Sequence, residues 1–185
     1  MFVDETITYL EMKSPDELVA GKQPPSHVEI KRQYVDSLNR VRKTYEGIGK
    51  PLYWLARPEW PESEWRDLLG KENLYSLLIY VEGNIAGMIE LKAEGEGSTE
   101  LSVFGLLPIY IGKGYGGYAL TLAIEKAWDI EQPDGSSTRR VWVNTSTMDH
   151  RHAITNYKAR GFVPYKTEDK QREIPDDPQI TDIDN

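Results

Sequence analysis

Gly112-Lys113-Gly114-Tyr115-Gly116-Gly117 is the stretch on which the fold turns. It stands between the apolar run Val103-Phe104-Gly105-Leu106-Leu107-Pro108 and a helical pattern carrying Leu120, Ile124, Ala127 and Trp128. A strand that passes through a glycine-dense turn into a helix offers an anion a row of backbone N–H groups, with the positive end of the helix dipole behind them. Glycine has no Cβ to keep a phosphate at a distance. The loop therefore predicts a grip on a phosphorylated small molecule.

Outward from the loop, the pattern is strand, helix, strand. The helix runs to about Ile130, a polar loop follows around Pro133-Asp134-Gly135, and Val141-Trp142-Val143 reads as a strand. A last helix is expected from Arg151 to Arg160, with Asp149 as N-cap and Gly161 as the residue that ends it. Phe162-Val163-Pro164-Tyr165 begins a final strand. On the N-terminal side, Leu77–Val81 and Ile85–Leu91 flank the turn Glu82-Gly83-Asn84, and Gly95–Ser98 leads into Thr99–Leu107. Three short-looped strands predict an antiparallel meander. Earlier still, Thr6–Met12 reads as a strand. Ser26-His27-Val28-Glu29 has the pattern of a capping box, followed by apolar residues Ile30, Tyr34, Leu38, Val41, Tyr45 and Ile48 at helical spacing. A second helix is expected after Pro61, bearing Trp65, Leu68 and Leu69. The fold class is thus mixed α/β, or α+β, with a mostly antiparallel sheet and about four helices.

Composition sets the limits. At 185 residues and 39% apolar content, with five Trp, eleven Tyr and three Phe, the chain can build one sizeable core. No apolar run approaches the roughly 20 residues of a membrane span, and the opening residues lack the regions of a signal peptide. With no Cys, disulfides are excluded, and a cytoplasmic location is expected. Net charge is −8 without a basic cluster, which predicts neither a nucleic-acid nor a membrane partner. One domain over 1–166 and an acidic tail over 167–185 are expected.

The loop also matches the G-x-G-x-x-G of dinucleotide sites at Gly112, Gly114 and Gly117. The context differs, because the following strand ends in Asn144-Thr145 with no acidic residue to hold a ribose. A Walker phosphate loop is excluded, since no Lys-Ser/Thr pair follows the glycines. A tight strand-to-helix turn with no ligand is the remaining alternative. Taken together, the strand ending at Pro108, the Gly112–Gly117 loop and Ala153-Ile154-Thr155-Asn156-Tyr157-Lys158-Ala159-Arg160-Gly161-Phe162 resemble the GNAT superfamily of N-acetyltransferases. Phe104–Pro108, Trp142-Val143-x-Thr145 and Asp149-His150 resemble a bacterial branch of it.

This resemblance implies an acetyl-CoA-dependent transferase that moves acetyl directly to a small-molecule or peptide amine, with no metal, as a monomer or homodimer. It places the diphosphate on Gly112, Lys113, Gly114, Tyr115, Gly116 and Gly117, and the pantetheine on Leu106 and Leu107. Ala153 would let the cofactor pass. His150 stands where the superfamily often has a cofactor-binding Asn, and Ile111 where it has Gln or Arg. Tyr157 takes the place of the acid for the leaving thiolate, although a core tyrosine is the alternative reading. Glu100 is the preferred base and Glu90 the second choice, with solvated side chains on the outer sheet face as the alternative, more so for Glu90. Trp54, Arg57 and Trp60 form a candidate acceptor wall, with core packing as the alternative. A CoA-binding sensor or interaction domain without turnover is the alternative function. Metal binding by His150 and His152 is not expected, because residues two apart on a helix point to different faces.

Overall fold

The computed structural model describes residues 1–175. Along them run β1 (Phe2–Met12), β2 (Val28–Gln33), α1 (Leu38–Gly49), α2 (Glu62–Leu69), β3 (Leu74–Val81), β4 (Asn84–Gly95) and β5 (Ser98–Leu106). α3 (Gly116–Trp128), β6 (Arg140–Ser146), α4 (Ala153–Ala159) and β7 (Val163–Glu173) complete the order. All seven strands join one sheet in the order β2-β3-β4-β5-β6-β1-β7. Every pairing is antiparallel except β5 with β6. This is the mixed, mostly antiparallel architecture expected.

The meander forms where the alternating apolar residues predict it. Its first turn has Glu82 and Gly83 both at positive φ, 48° and 78°, matching the twist of the flanking strands. The sheet is covered on both sides. Leu10, Ile79, Ile89 and Leu91 pack with Leu120 and Ile124 of α3 on one face. On the other, Leu78, Met88 and Val103 meet Val41, Tyr45 and Ile48 of α1 and Trp65 of α2.

Three expectations are corrected. Ser26–Glu29 is no capping box: Val28–Gln33 is an edge strand, and α1 begins only at Leu38. The backbone edge of β3 needs partners, and β2 supplies them from Val28↔Val81 to Gln33↔Ser76. That demand overrides the helical spacing of Ile30 and Tyr34. Asp149 does not cap α4, whose N-cap is His152. Its carboxylate folds back instead to accept from Ser146 N and Thr145 Oγ1, at 2.9 and 2.8 Å, closing the turn after β6. The tail expected from Thr167 begins as ordered strand, because β7 pairs with β1 as far as Glu173↔Phe2. Its low apolar content follows from its edge position, where both faces meet water. Residues 176–185 of that expected tail lie outside the described residues.

Candidate active site

The parallel pairing of β5 and β6 is brief: Ser98↔Arg140, Thr99↔Val141 and Glu100↔Trp142. Beyond it, β5 stays with β4 to Leu106, and β6 stays with β1 to Ser146. A β-bulge marks the parting. Glu90 faces Val103 and Leu91 faces Leu101, so Ser102 is the extra residue. A bulge bends its strand and increases its twist, which turns β5 away from β6. Ser102 Oγ donates to the Glu90 carbonyl and to Glu90 Oε1, fixing the bend.

Into this opening falls a cavity of about 550 Å³. Its floor is Leu101–Leu106 of β5. Leu107 N–H donates to the Ala86 carbonyl at 2.8 Å, and strand amides alternate in direction, so the Leu106 amide and carbonyl face the open edge. Leu107 itself, expected on the pantetheine, is turned toward β4 and packs against the α1 cluster.

One end of the cavity meets Gly112, Gly116 and Gly117. Gly112 and Gly114 take φ of 74° and 86°, which side chains resist. α3 has no side-chain cap, and among the described residues the N–H groups of 112–118 have no hydrogen-bond acceptor. Asn156 Nδ2 holds the Gly116 carbonyl at 3.2 Å, and the Arg160 guanidinium packs where a Gly117 Cβ would stand. Neither Asn156 nor Arg160 was singled out from the sequence. Lys113 is exposed at the loop tip, and Tyr115 turns back so that its hydroxyl donates to Ser26 Oγ, so neither these nor Gly114 lines the cavity.

Tyr157 and Ala153 line it from α4, on one helix face. The Tyr157 ring is 6% exposed and meets Phe104 and Phe162 edge-on. Burial, aided by the charge of Asp149, pushes its phenol well above the usual tyrosine range, so it remains a proton donor throughout the physiological range. His150 and His152 also line the cavity, with ring centroids 5.3 Å apart. They lie in the turn before α4, not on it. Burial, with the nearby His152 and Arg151, lowers the His150 pKa and favours the neutral ring. Because its Nδ1 accepts from His152 N–H, the ring proton belongs on Nε2. Among the described residues no group of three or more His, Cys, Asp or Glu is placed to hold a metal ion.

The two candidate bases are placed differently from expectation. Glu90 is 2% exposed, and both its oxygens are engaged by Arg57, at 2.6 and 2.7 Å, with Ser102 on one of them. A carboxylate so held is a structural partner rather than a free base. Glu100 is half-buried and not among the lining residues. Burial, then Glu94, raises its pKa above 4.5. A raised carboxyl pKa means the folded state favours the protonated form: that stability is present at low pH and lost as pH rises through the folded value. Glu100→Gln should therefore raise Tm at pH 7, and the gain should disappear toward pH 4, read by thermal denaturation across pH.

Of the candidate acceptor wall, Trp54 and Arg57 line the cavity, and Trp60 does not. Trp60 packs edge-on against Trp65 and beneath the Arg57 guanidinium. Trp54 donates its indole N–H to Asp149 Oδ1 at 3.2 Å, joining the α1–α2 loop to the turn before α4. Arg172 of β7 lines this end too, a residue hidden from sequence reading in the stretch expected as tail.

The sequence profile of the acetyltransferase (GNAT) family matches residues 40–162. A comparison with curated proteins returned no match. Among solved structures, the chain resembles a GCN5-related N-acetyltransferase from Kribbella flavida, at 17% identity and a TM-score of 0.62 over 92% of this chain and 58% of that one. It also resembles a GCN5-related N-acetyltransferase from Sphaerobacter thermophilus, at 13% identity and a TM-score of 0.63, over 91% and 51%. An aminoglycoside acetyltransferase from an uncultured soil sample, in complex with sisomicin, gives 12% and 0.57 over 72% and 87%. The chain thus spans little more than half the length of the first two.

Proposed function

Because the chain belongs to the acetyltransferase (GNAT) family, we propose that it transfers acetyl from acetyl-CoA to a primary amine, directly, within a ternary complex. The observation that carries this reading is the parting of β5 from β6 onto the free N–H row at 112–118, with Tyr157 in the wall between. Diphosphate chemistry suits those donors, and the outward-facing Leu106 amide and carbonyl suit a pantetheine amide. The cavity is large enough for a thioester arm and a small acceptor together.

In this reading the amine nitrogen, having lost a proton to a carboxylate or to water, attacks the acetyl carbon. The C–N bond forms, the C–S bond breaks, and the thiolate takes the Tyr157 phenolic proton. The acylated nitrogen gives up its second proton, which returns directly or through solvent to the tyrosinate and leaves a neutral amide and a thiol. A buried phenol is costly to ionise, so the hydroxyl waits protonated until the thiolate appears beside it. The absence of Cys from the sequence leaves no cysteine to carry acetyl, in keeping with direct transfer.

Native mass spectrometry of the purified protein, joined to an acetyl-CoA assay over a panel of amines, tests the reading. Retained CoA or acetyl-CoA together with CoA release that depends on an amine is the expected result. Binding without turnover of any amine would favour the sensor alternative instead.

A further inference from the structure

The acceptor end of the cavity carries two charges that acetyl transfer to an unspecified amine leaves unused. Trp54 Nε1 donates to Asp149, while the carbonyl of the preceding residue, Tyr53, accepts from Arg172 Nη2. Consecutive residues of one loop thus hold a carboxylate and a guanidinium on the same cavity. Tyr53 adopts φ 53° in doing so, a left-handed conformation that a non-glycine residue keeps only where its surroundings hold it.

The balance of charge separates Arg172 from Arg57. Arg57 is neutralised by the bidentate bond to Glu90. Among the described residues Arg172 pairs with Glu5 alone, at 3.4 Å, and Glu5 is shared with Lys170 at 3.5 Å. Two cations against one buried carboxylate leave a positive charge over. Asp149 is the converse case: its bonds come from the indole, a threonine hydroxyl and a backbone amide, all neutral. Among the described lining residues it is the one carboxylate. Three accepted hydrogen bonds fix the carboxylate in place as a seat for a cation. The two charges have different neighbours at that end. Asp149 acts on the phenol of Tyr157, and Arg172 acts on the hydroxyl of Tyr45, beside Arg57.

Resting on the acetyl-transfer reading, we propose that the acceptor is zwitterionic. Its ammonium docks on Asp149 beside Tyr157, and its carboxylate docks on Arg172, which makes amino acids or short peptides with a free C-terminus the acceptor class. A polycation such as a polyamine or an aminoglycoside would set an amine against the uncompensated Arg172 charge, which disfavours it.

The test measures kcat/KM of the full chain with acetyl-CoA for a set of amino acids, their C-terminal amides and a polyamine. Free acids should exceed their amides by about tenfold or more, as expected when a charged hydrogen-bond partner is lost. Arg172→Gln should bring that ratio toward one through KM for the acid, and Arg172→Lys, which keeps the charge, should retain part of it. Because the readout is a ratio, a general loss of folded protein cannot mimic it. Amides or polyamines turned over as well as the acids would overturn the zwitterion proposal while leaving acetyl transfer standing. Failure of every amine to release CoA would remove both.

Discussion

Tyr157→Phe should lower kcat by about 10²-fold or more while acetyl-CoA affinity stays within about threefold, the signature of a lost proton donor. The ring is gripped by Phe104 and Phe162, and phenylalanine preserves those contacts. The hydroxyl has no protein partner among the hydrogen bonds of the described residues, so its removal orphans nothing in the core. A packing role therefore predicts almost no change in rate, and an acid role a large one. Stopped-flow or steady-state kinetics beside calorimetry of acetyl-CoA binding distinguishes the two. Unchanged kcat would strike Tyr157 from the chemistry.

Arg57→Ala should cost about 3–5 kcal/mol of stability, because it strands an ionised carboxylate in the interior. Glu90 is 2% exposed, and its remaining partner would be the Ser102 hydroxyl. For a domain of this size the loss corresponds to a fall in Tm on the order of 10 °C. The paired change Arg57→Met with Glu90→Leu should recover most of it, since both charges then leave together. Thermal and urea unfolding of the single and double variants read this directly. A double variant no more stable than the single would mean that the pair holds the bulge at Ser102 by more than charge compensation.

What sequence reading reached and what it missed divide by range. The β3–β4–β5 meander, α2, α3 and the glycine loop follow from local periodicity and turn residues, and each forms where expected. The elements that went astray answer to distant partners. Val28–Gln33 becomes a strand because β3 has an open edge. Thr167–Glu173 becomes one because β1, at the other end of the chain, lies between it and β6. Neither need is written in the segment itself.

The candidate site divides the same way. Tyr157, Ala153, Leu106 and three of the loop glycines, Gly112, Gly116 and Gly117, were legible through motif and resemblance, and they meet at one cavity. The bulge at Ser102 was not, since one extra residue in a strand leaves no local signal. Arg57 and Glu90 were both singled out, but that they bind each other depends on the α1–α2 loop folding over the sheet. Arg172 stood in a charged stretch and gave no sign of facing a cavity. Asp149 looked like a helix cap because Asp before a helix usually is one.

The most direct measurement is a crystal structure of the acetyl-CoA complex. The account predicts the diphosphate on the N–H groups between Gly112 and Tyr118, the pantetheine along the open edge at Leu106, and the thioester beside the Tyr157 hydroxyl. Acetyl-CoA bound away from the gap between β5 and β6, or its sulfur out of reach of Tyr157, would contradict it.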